Sequence, residues 1–346
     1  MGSVSVGRTT RRRSVAIDTV RVVGLIAVVA GHMWAGSPDD SANPVRIALY
    51  SWHVPLFFFL TGYMRSQHKP LAVETIARAR SLLVPFAAWT IILGVPYFYW
   101  LAQRDGSFLL AITETLWGGG VVRGMFAPYW FLPLLFFVAV LLRALDLAPR
   151  WIAWTLGLSG LAASYLFGST LAMLPHDVFF TLPCMLFALV GAEIRKGLPR
   201  VRHSGWWGLT FIAAAAVLLA TEVAAPLDMK VGNFGTPVLS VLVALLICAG
   251  MVAVATTILD GRDVRAGVVI TELARTSMVV LLTHTFFYWL LPAFPLSNLA
   301  IFAIALAGSW LLGAAIHRSP FSMTLAGIPR VAPTTSRTDA RAPTAR

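Results

Sequence analysis

Long apolar segments separated by short polar loops constrain this chain more than any other feature of its sequence. Of its 346 residues, 58% are hydrophobic and only 12% are charged, and the mean hydropathy is +0.77. A segment of about 20 apolar residues is needed to cross the ~30 Å hydrocarbon layer of a bilayer as a helix. Lipid also demands that the backbone satisfy its own hydrogen bonds, which continuous helices do. The sequence therefore predicts an all-α, polytopic membrane protein.

Ten apolar windows qualify as candidate transmembrane helices. They lie at residues 17–36, 47–64, 82–101, 128–145, 151–168, 174–193, 205–224, 236–259, 274–291 and 296–316. They predict one membrane domain over residues 17–316, which follows a basic cytoplasmic segment at 1–16. The Pro-, Thr- and Arg-containing stretch at 317–346 is predicted to be a disordered cytoplasmic tail.

The basic residues are distributed unevenly among the loops between these windows. With the N-terminus inside, 22 of the 27 Lys and Arg residues fall in cytoplasmic segments, four fall outside, and Arg21 lies within the first window. Short cytoplasmic loops carry such an excess. Both termini are therefore predicted to be cytoplasmic, in a multi-pass protein of the plasma membrane. The net charge of +12 is explained by topology and by affinity for anionic membrane lipid, not by nucleic-acid binding.

Two polar residues in the first window are candidates for function. Arg21 and His32 are eleven residues apart, which is about three helical turns, so they share a helix face and are separated by roughly 16 Å along the axis. Asp18 precedes Arg21 by three residues and can pair with it. Ionisable groups inside a membrane usually mark functional sites. The alternative is that Arg21 reaches the cytoplasmic surface with Asp18 as counter-ion, while His32 bonds a neighbouring helix.

The second window begins with His53, which the short preceding loop brings within plausible reach of His32. Two imidazoles facing one cavity could share proton transfer, or one could orient the other. A structural role for His53 at a helix interface is equally open. For Thr61 and Gly62 we favour a packing role, in which the glycine lets a helix approach closely and the threonine bonds a backbone carbonyl.

Other reaction classes find little support in the sequence. No nucleophile elbow, zinc-protease motif, phosphate-binding loop or dinucleotide fingerprint is present. Cys184 and Cys248 both lie in apolar stretches, which argues against a disulfide framework or a cysteine metal site. No metal is expected.

Four segments carry a resemblance to a known family. They are Arg13-x4-Asp18-x2-Arg21-x10-His32, His53-Val-Pro-Leu-Phe-Phe-Phe-Leu-Thr-Gly-Tyr63, Tyr129-Trp-Phe-Leu-Pro-Leu-Leu-Phe136 and Arg275-Thr-Ser-Met-Val-Val-Leu-Leu-Thr-His284. In this order, over residues 13 to 316, they resemble the landmarks of the acyltransferase 3 family of multi-pass membrane O-acyltransferases. The second and third segments are most similar to its fucose 4-O-acetylase-like branch.

The resemblance implies transfer of an acyl group, usually acetyl from acetyl-CoA, to a hydroxyl of a sugar or a cell-surface glycan or glycolipid. The functional Arg and His of the family's first helix match Arg21 and His32, with His32 suited to general-base catalysis and His53 as a further catalytic candidate. Arg21, Arg78 and Arg80 are candidates for binding the CoA phosphates. The family often has Arg-x2-Arg where this chain has Arg78-x-Arg80, so positive-inside topology also explains that pair.

The acceptor is assigned three candidate residues. His176 and Asp177 could bind its hydroxyls, and Trp130 could stack on a sugar ring. A helix cap and an interfacial aromatic belt are the alternative explanations. The competing functional class is a transporter or flippase of a glycan or lipid intermediate, with Arg21 and His32 as a relay. A non-catalytic subunit of a polysaccharide-assembly complex is a third reading.

Overall fold

The protein, described by a computed structural model over residues 13–36, 42–65, 69–104, 107–262 and 264–331, is built of helices. The α-helices in these ranges are Val15–Trp34 (α1), Pro44–Tyr50 (α2), His53–Tyr63 (α3), Leu71–Arg78 (α4), Val84–Ala102 (α5), Phe108–Trp117 (α6), Phe131–Ala144 (α7), Arg150–Leu171 (α8), Thr181–Gly197 (α9), Ser204–Ala220 (α10), Leu239–Leu259 (α11), Gly267–Arg275 (α12), Ser277–Leu290 (α13), Asn298–Arg318 (α14) and Ser322–Ala326 (α15). A π-helical turn, Ala79–Leu83, joins α4 to α5. The only β pairing over the same ranges is an isolated bridge between Asp228 and Asn233, so the all-α class is confirmed there.

Six helical segments in the described part of the chain are long and apolar enough to cross a membrane. They are Val15–Trp34, Leu71–Ala102, Gly124–Leu147, Pro175–Arg200, Leu239–Leu259 and Asn298–Arg318. A seventh is obtained if Gly267–Arg275 and Ser277–Ala293, which meet at a bend of 67°, form one broken span. The protein is thus a membrane protein with six or seven candidate spans.

The predicted count of ten spans is not confirmed. The window at 47–64 is interrupted at Trp52, whose φ of −152° ends helical geometry, and it divides into α2 of 7 residues and α3 of 11 residues. At 1.5 Å per residue, an 11-residue helix is roughly 16 Å long, about half the hydrocarbon thickness. The window at 205–224 corresponds to α10, whose 17 residues are likewise fewer than the roughly 20 that a transmembrane helix needs.

The helix α1 lies at the centre of the fold. Its N-cap is Ser14, whose Oγ accepts a hydrogen bond from the Ile17 amide at 3.3 Å, an arrangement that satisfies an otherwise unpaired donor. The helix packs against α3, α11, α12 and α13. Most residues of α1 are apolar or small, and over half of the helix is buried. Because so much of the helix is buried, Arg21 and His32 are held within the helix bundle.

Close packing of α3 against α9 depends on two glycines. A Cβ added to Gly62 would collide with the backbone carbonyl of Ala188, and one added to Gly191 would collide with that of Phe59. Each helix therefore presents a glycine to the backbone of the other. The hydroxyl of Thr61 donates to the Phe57 carbonyl at 2.9 Å. The packing role predicted for Thr61 and Gly62 is confirmed.

The predicted start of a disordered tail at residue 317 is wrong for residues 317–331. The helix α14 extends to Arg318, and α15 follows after a short turn. The Leu325 carbonyl accepts a hydrogen bond from Trp89 Nε1 on α5 at 2.9 Å, which fixes α15 against the body of the protein. Residues 332–346 lie outside the described residues, as do residues 1–12 of the predicted N-terminal segment.

We expect Gly62→Ala to destabilise the protein, because a backbone carbonyl cannot move away as a flexible side chain can. Overpacking of this kind costs about 1–3 kcal/mol. The matched control is Gly197→Ala, since nothing lies within 4 Å of a Cβ at that position of α9. Thermal unfolding of purified protein in detergent measures both variants. An equal unfolding temperature for the two would contradict the proposed contact.

Candidate functional site

A cavity of about 280 Å³ lies beside α1, close to the lower end of the size range of ligand pockets. Arg21 and His32 both line it. Because they are about three turns apart on one helix, the cavity runs along α1 for roughly 16 Å. We call the part around Arg21 the arginine end and the part around His32 the histidine end.

The arginine end has an excess of positive charge. Arg13, Arg21 and Arg78 line it, and Arg275 lines the cavity from the end of α12. The carboxylate of Asp18 accepts a hydrogen bond from Arg13 Nε at 2.6 Å, so the predicted pairing of Asp18 with Arg21 is wrong. Within the described ranges the Arg21 side chain has no hydrogen bond and no ion pair. A cation in such surroundings is costly unless a counter-ion arrives.

The two arginines before α5 point in different directions. Arg78 lines the cavity, and its Nε donates to Glu74 at 2.6 Å. Arg80 is exposed and does not line the cavity. Residues two apart on a helix do not share a face. The structure therefore brings Arg78 to the candidate site and leaves Arg80 outside it.

His53 and Tyr50 lie together at the histidine end, where both line the cavity. Their ring centroids are 4.8 Å apart. His53 Nδ1 donates to the Leu49 carbonyl at 2.6 Å. A carbonyl can only accept, so the proton of the neutral imidazole is on Nδ1 and a lone pair remains on Nε2.

A third imidazole, His284 of α13, adjoins His32. The two ring centroids are 5.2 Å apart. His284 closes one of the segments that resemble the family, but the sequence alone gave it no role, because only the folded chain brings α13 beside α1. His32 faces the cavity and keeps an exposed side-chain surface there, whereas His284 is fully buried.

The loop between α10 and α11 closes the histidine end. Asp228 and Lys230 of this loop line the cavity. Asp228 pairs at 2.5 Å with Arg46 of α2, and the Arg46 guanidinium lies 4.3 Å from the centre of the Tyr50 ring. Lys230 donates to the Val122 carbonyl. Burial lowers the pKa of Lys230, and the nearby Asp228 carboxylate opposes this shift.

His176 and Asp177, predicted to bind the acceptor, do not line the cavity. They lie in the 3-10 turn Pro175–Phe180, both with a φ of +53°. Asp177 is fully buried, and its Oδ1 accepts from the Gly120 amide at 2.9 Å. Asp177 thus joins this turn to the 3-10 turn Gly119–Val121, whereas the buried Nδ1 of His176 makes no hydrogen bond in the described residues. Trp130, the third acceptor candidate, does line the cavity.

The arrangement suits a long ligand with an anionic end and a reactive group at the other. The walls between the two ends are apolar and include Leu25, Val28 and Phe57. An anionic group would be neutralised at the arginine end, and a neutral imidazole could take up a proton at the histidine end. In the described part of the chain, no three His, Cys, Asp or Glu side chains are grouped so that they could hold a metal ion.

Comparison with known proteins gives one family match. The model of a family described as an acyltransferase domain matches residues 14–314. Nodulation protein NolL of Mesorhizobium japonicum is 24% identical over 165 residues, which are 45% of this chain and 42% of that protein. NolL of Sinorhizobium fredii is 28% identical over 166 residues, covering 44% and 42%. The chain thus matches less than half the length of these relatives. No solved structure gives a significant match.

Removing one partner of the ion pair between Arg46 and Asp228 is expected to destabilise the protein strongly. Asp228→Leu leaves a buried guanidinium without a partner, which costs about 3–5 kcal/mol. The double variant Arg46→Met, Asp228→Leu should recover most of this loss, because neither charge remains. Glu193→Gln is the control, since Glu193 pairs with Arg150 at the surface and such pairs contribute at most about 1 kcal/mol. Chemical unfolding in detergent compares them, and a double variant no more stable than the single one would contradict this account.

Proposed function

The chain belongs to the acyltransferase 3 family, and from this premise we propose that it transfers an acyl group, in the first instance acetyl, from acyl-CoA to a hydroxyl of a sugar or cell-surface glycan or glycolipid. Membership confirms the resemblance of the four segments and makes the protein a membrane acyltransferase. The observation that carries the finer proposal is the shared cavity, which joins the unpaired Arg21 to His32.

The donor binds with its phosphates at the arginine end. Guanidinium groups hold phosphates by bidentate, charge-assisted hydrogen bonds. Arg21 is the principal candidate because no carboxylate in the described part of the chain forms a direct ion pair with it, and Arg78 and Arg275 line the same cavity. CoA is a cytoplasmic cofactor, so this end and both termini face the cytoplasm of a protein in the plasma membrane.

The acceptor binds at the histidine end. Tyr50 and Trp130 offer aromatic faces to a sugar ring. The Asp228 carboxylate can accept hydrogen bonds from sugar hydroxyls at the lone pairs that its ion pair with Arg46 does not use. These residues replace His176 and Asp177, which lie outside the cavity. The pantetheine arm of the donor spans the apolar walls and brings the thioester to His32.

His32 acts as the general base. Its neutral imidazole takes the proton of the acceptor hydroxyl while the oxygen attacks the thioester carbonyl. A C–O bond forms, the C–S bond breaks, and the leaving thiolate of CoA receives a proton from the imidazolium. The products are the O-acyl acceptor and CoA. His53, which also lines the cavity, can accept a hydrogen bond from the acceptor through Nε2.

We expect His32→Ala to lower the rate of transfer by about 10²–10⁴, the usual contribution of a positioned base. The measurement is incorporation of radiolabelled acetyl from acetyl-CoA into a panel of glycan acceptors by purified protein. His203→Asn is the control, because His203 is exposed on the turn before α10. If no acceptor gains label while the flux of a glycan lipid across vesicles depends on His32, the protein is a transporter and the proposal is wrong.

Donor binding is tested by Arg21→Gln. Loss of a charged hydrogen bond of about 1.5–3 kcal/mol should raise the KM for acetyl-CoA by roughly 10- to 100-fold. Acetyl-pantetheine, which lacks the nucleotide phosphates, should be used equally well by wild type and variant. Arg80→Gln is the matched control, since Arg80 lies outside the cavity. Equal effects of Arg21→Gln on both donors would count against phosphate binding by Arg21.

A further inference from the structure

We propose that His284 is the positioning residue of His32. The buried Nε2 of His284 accepts a hydrogen bond from the His32 imidazole and so selects the tautomer of His32 whose lone pair faces the acceptor hydroxyl. This proposal rests on the proposed function. The two rings belong to α13 and α1, and their centroids are 5.2 Å apart with an interplanar angle of 48°. At this separation a nitrogen of one ring reaches a nitrogen of the other once the rings turn edge to edge.

The protonation of His284 is fixed by its own helix. Its Nδ1 donates to the Val280 carbonyl at 2.9 Å, so the proton is on Nδ1 and Nε2 is an acceptor. The ring is also held by Tyr288, whose ring lies edge-on at 5.8 Å and whose hydroxyl donates to the Val29 carbonyl of α1 at 2.9 Å. His284 therefore has little freedom to present another atom.

The acceptor atom of His284, its buried Nε2, makes no hydrogen bond in the described part of the chain. Buried acceptors are nearly always satisfied, and one that is not requires an explanation. His284 does not line the cavity, so a bound substrate cannot supply the missing donor. The adjacent His32 ring, which has no hydrogen bond of its own in the same residues, can.

His53 does not fit this role, although it carries its proton on the same atom. It lines the cavity, so a ligand can satisfy its Nε2, and its ring partner is Tyr50 rather than His32. The structure thus divides the two neighbouring imidazoles, with His53 available to substrate and His284 available to His32.

The hydrogen bond has a direct chemical consequence. A neutral imidazole carries one proton, and donating it to His284 leaves the lone pair on the other nitrogen of His32. That nitrogen can then face the acceptor hydroxyl. Catalytic hydrogen bonds are often long in a free enzyme and shorten when substrate binds. This accounts for the absence of a formed hydrogen bond between His32 and His284 in the described residues.

The test compares two variants of the purified full-length protein with acetyl-CoA and a glycan acceptor identified by the labelling assay. His284→Leu removes the acceptor, whereas His284→Gln can place Oε1 near the position of Nε2. We expect His284→Leu to lower kcat by about 10- to 100-fold, as loss of an orienting partner does, with an unchanged KM for acetyl-CoA. His284→Gln should restore most of kcat.

A matched control comes from the adjacent residue. Thr283 is equally buried on α13 and donates to Ser309 at 2.9 Å, so Thr283→Val disturbs a buried polar contact without touching His32. It should keep its kcat. Equal losses in the Leu and Gln variants, a full kcat in the Leu variant, or an equal loss in Thr283→Val would each overturn the role of His284.

A readout that does not depend on turnover separates this proposal from the proposed function. The ¹⁵N chemical shifts of His32 in protein labelled at histidine report which ring nitrogen carries the proton. A single tautomer in wild type and a mixture in His284→Leu are expected, and identical spectra would overturn the positioning role. A wild-type protein that labels no acceptor would instead overturn the proposed function and, with it, the catalytic meaning of the pair.

Discussion

The unpaired guanidinium of Arg21 is the constraint on which the candidate site depends. A charge inside an apolar helix bundle needs a counter-ion, and the nearest carboxylate in sequence, Asp18, is already bound to Arg13 at 2.6 Å. In the described part of the chain, Arg21 therefore lines the cavity without a direct ion-pair partner. A ligand with phosphate groups would supply one. Topology alone would not require this arginine, because a residue that only marks the cytoplasmic side can reach the surface.

What the sequence could predict is local to single helices. The spacing of Arg21 and His32 predicts a common face because one helix holds both, and the apolar windows predict the all-α class. The sequence could not predict contacts between segments that are distant along the chain. Arg46 and Asp228, 182 residues apart, meet only after α2 and the loop before α11 have packed. The His32–His284 contact also arises from packing of α1 against α13, and no periodicity in the sequence indicates it.

The predicted count of ten spans is not confirmed for a related reason. Hydropathy measures how apolar a window is, but it does not detect where a helix breaks or how tightly it packs. The segment at 47–64 is mostly apolar, yet it breaks at Trp52, and α3 then packs against α9 through Gly62 and Gly191. Conversely, α15 has only five residues and lies in the stretch predicted to be a disordered tail. The hydrogen bond from Trp89 of α5 to its Leu325 carbonyl nevertheless holds it in place.

The distance between the two ends of the cavity has a chemical reason. A cation beside a base opposes uptake of a proton by that base. Coulomb energy falls with the reciprocal of distance, so at roughly 16 Å the repulsion is about a quarter of that at 4 Å in the same medium. The proposed donor anchoring and proton uptake can then coexist on one helix. The neighbours of His32 that do lie close, His53 and His284, are imidazoles whose Nδ1 protons are donated to backbone carbonyls. Each offers a lone pair rather than a charge, and the ammonium of Lys230 at this end of the cavity has the Asp228 carboxylate nearby.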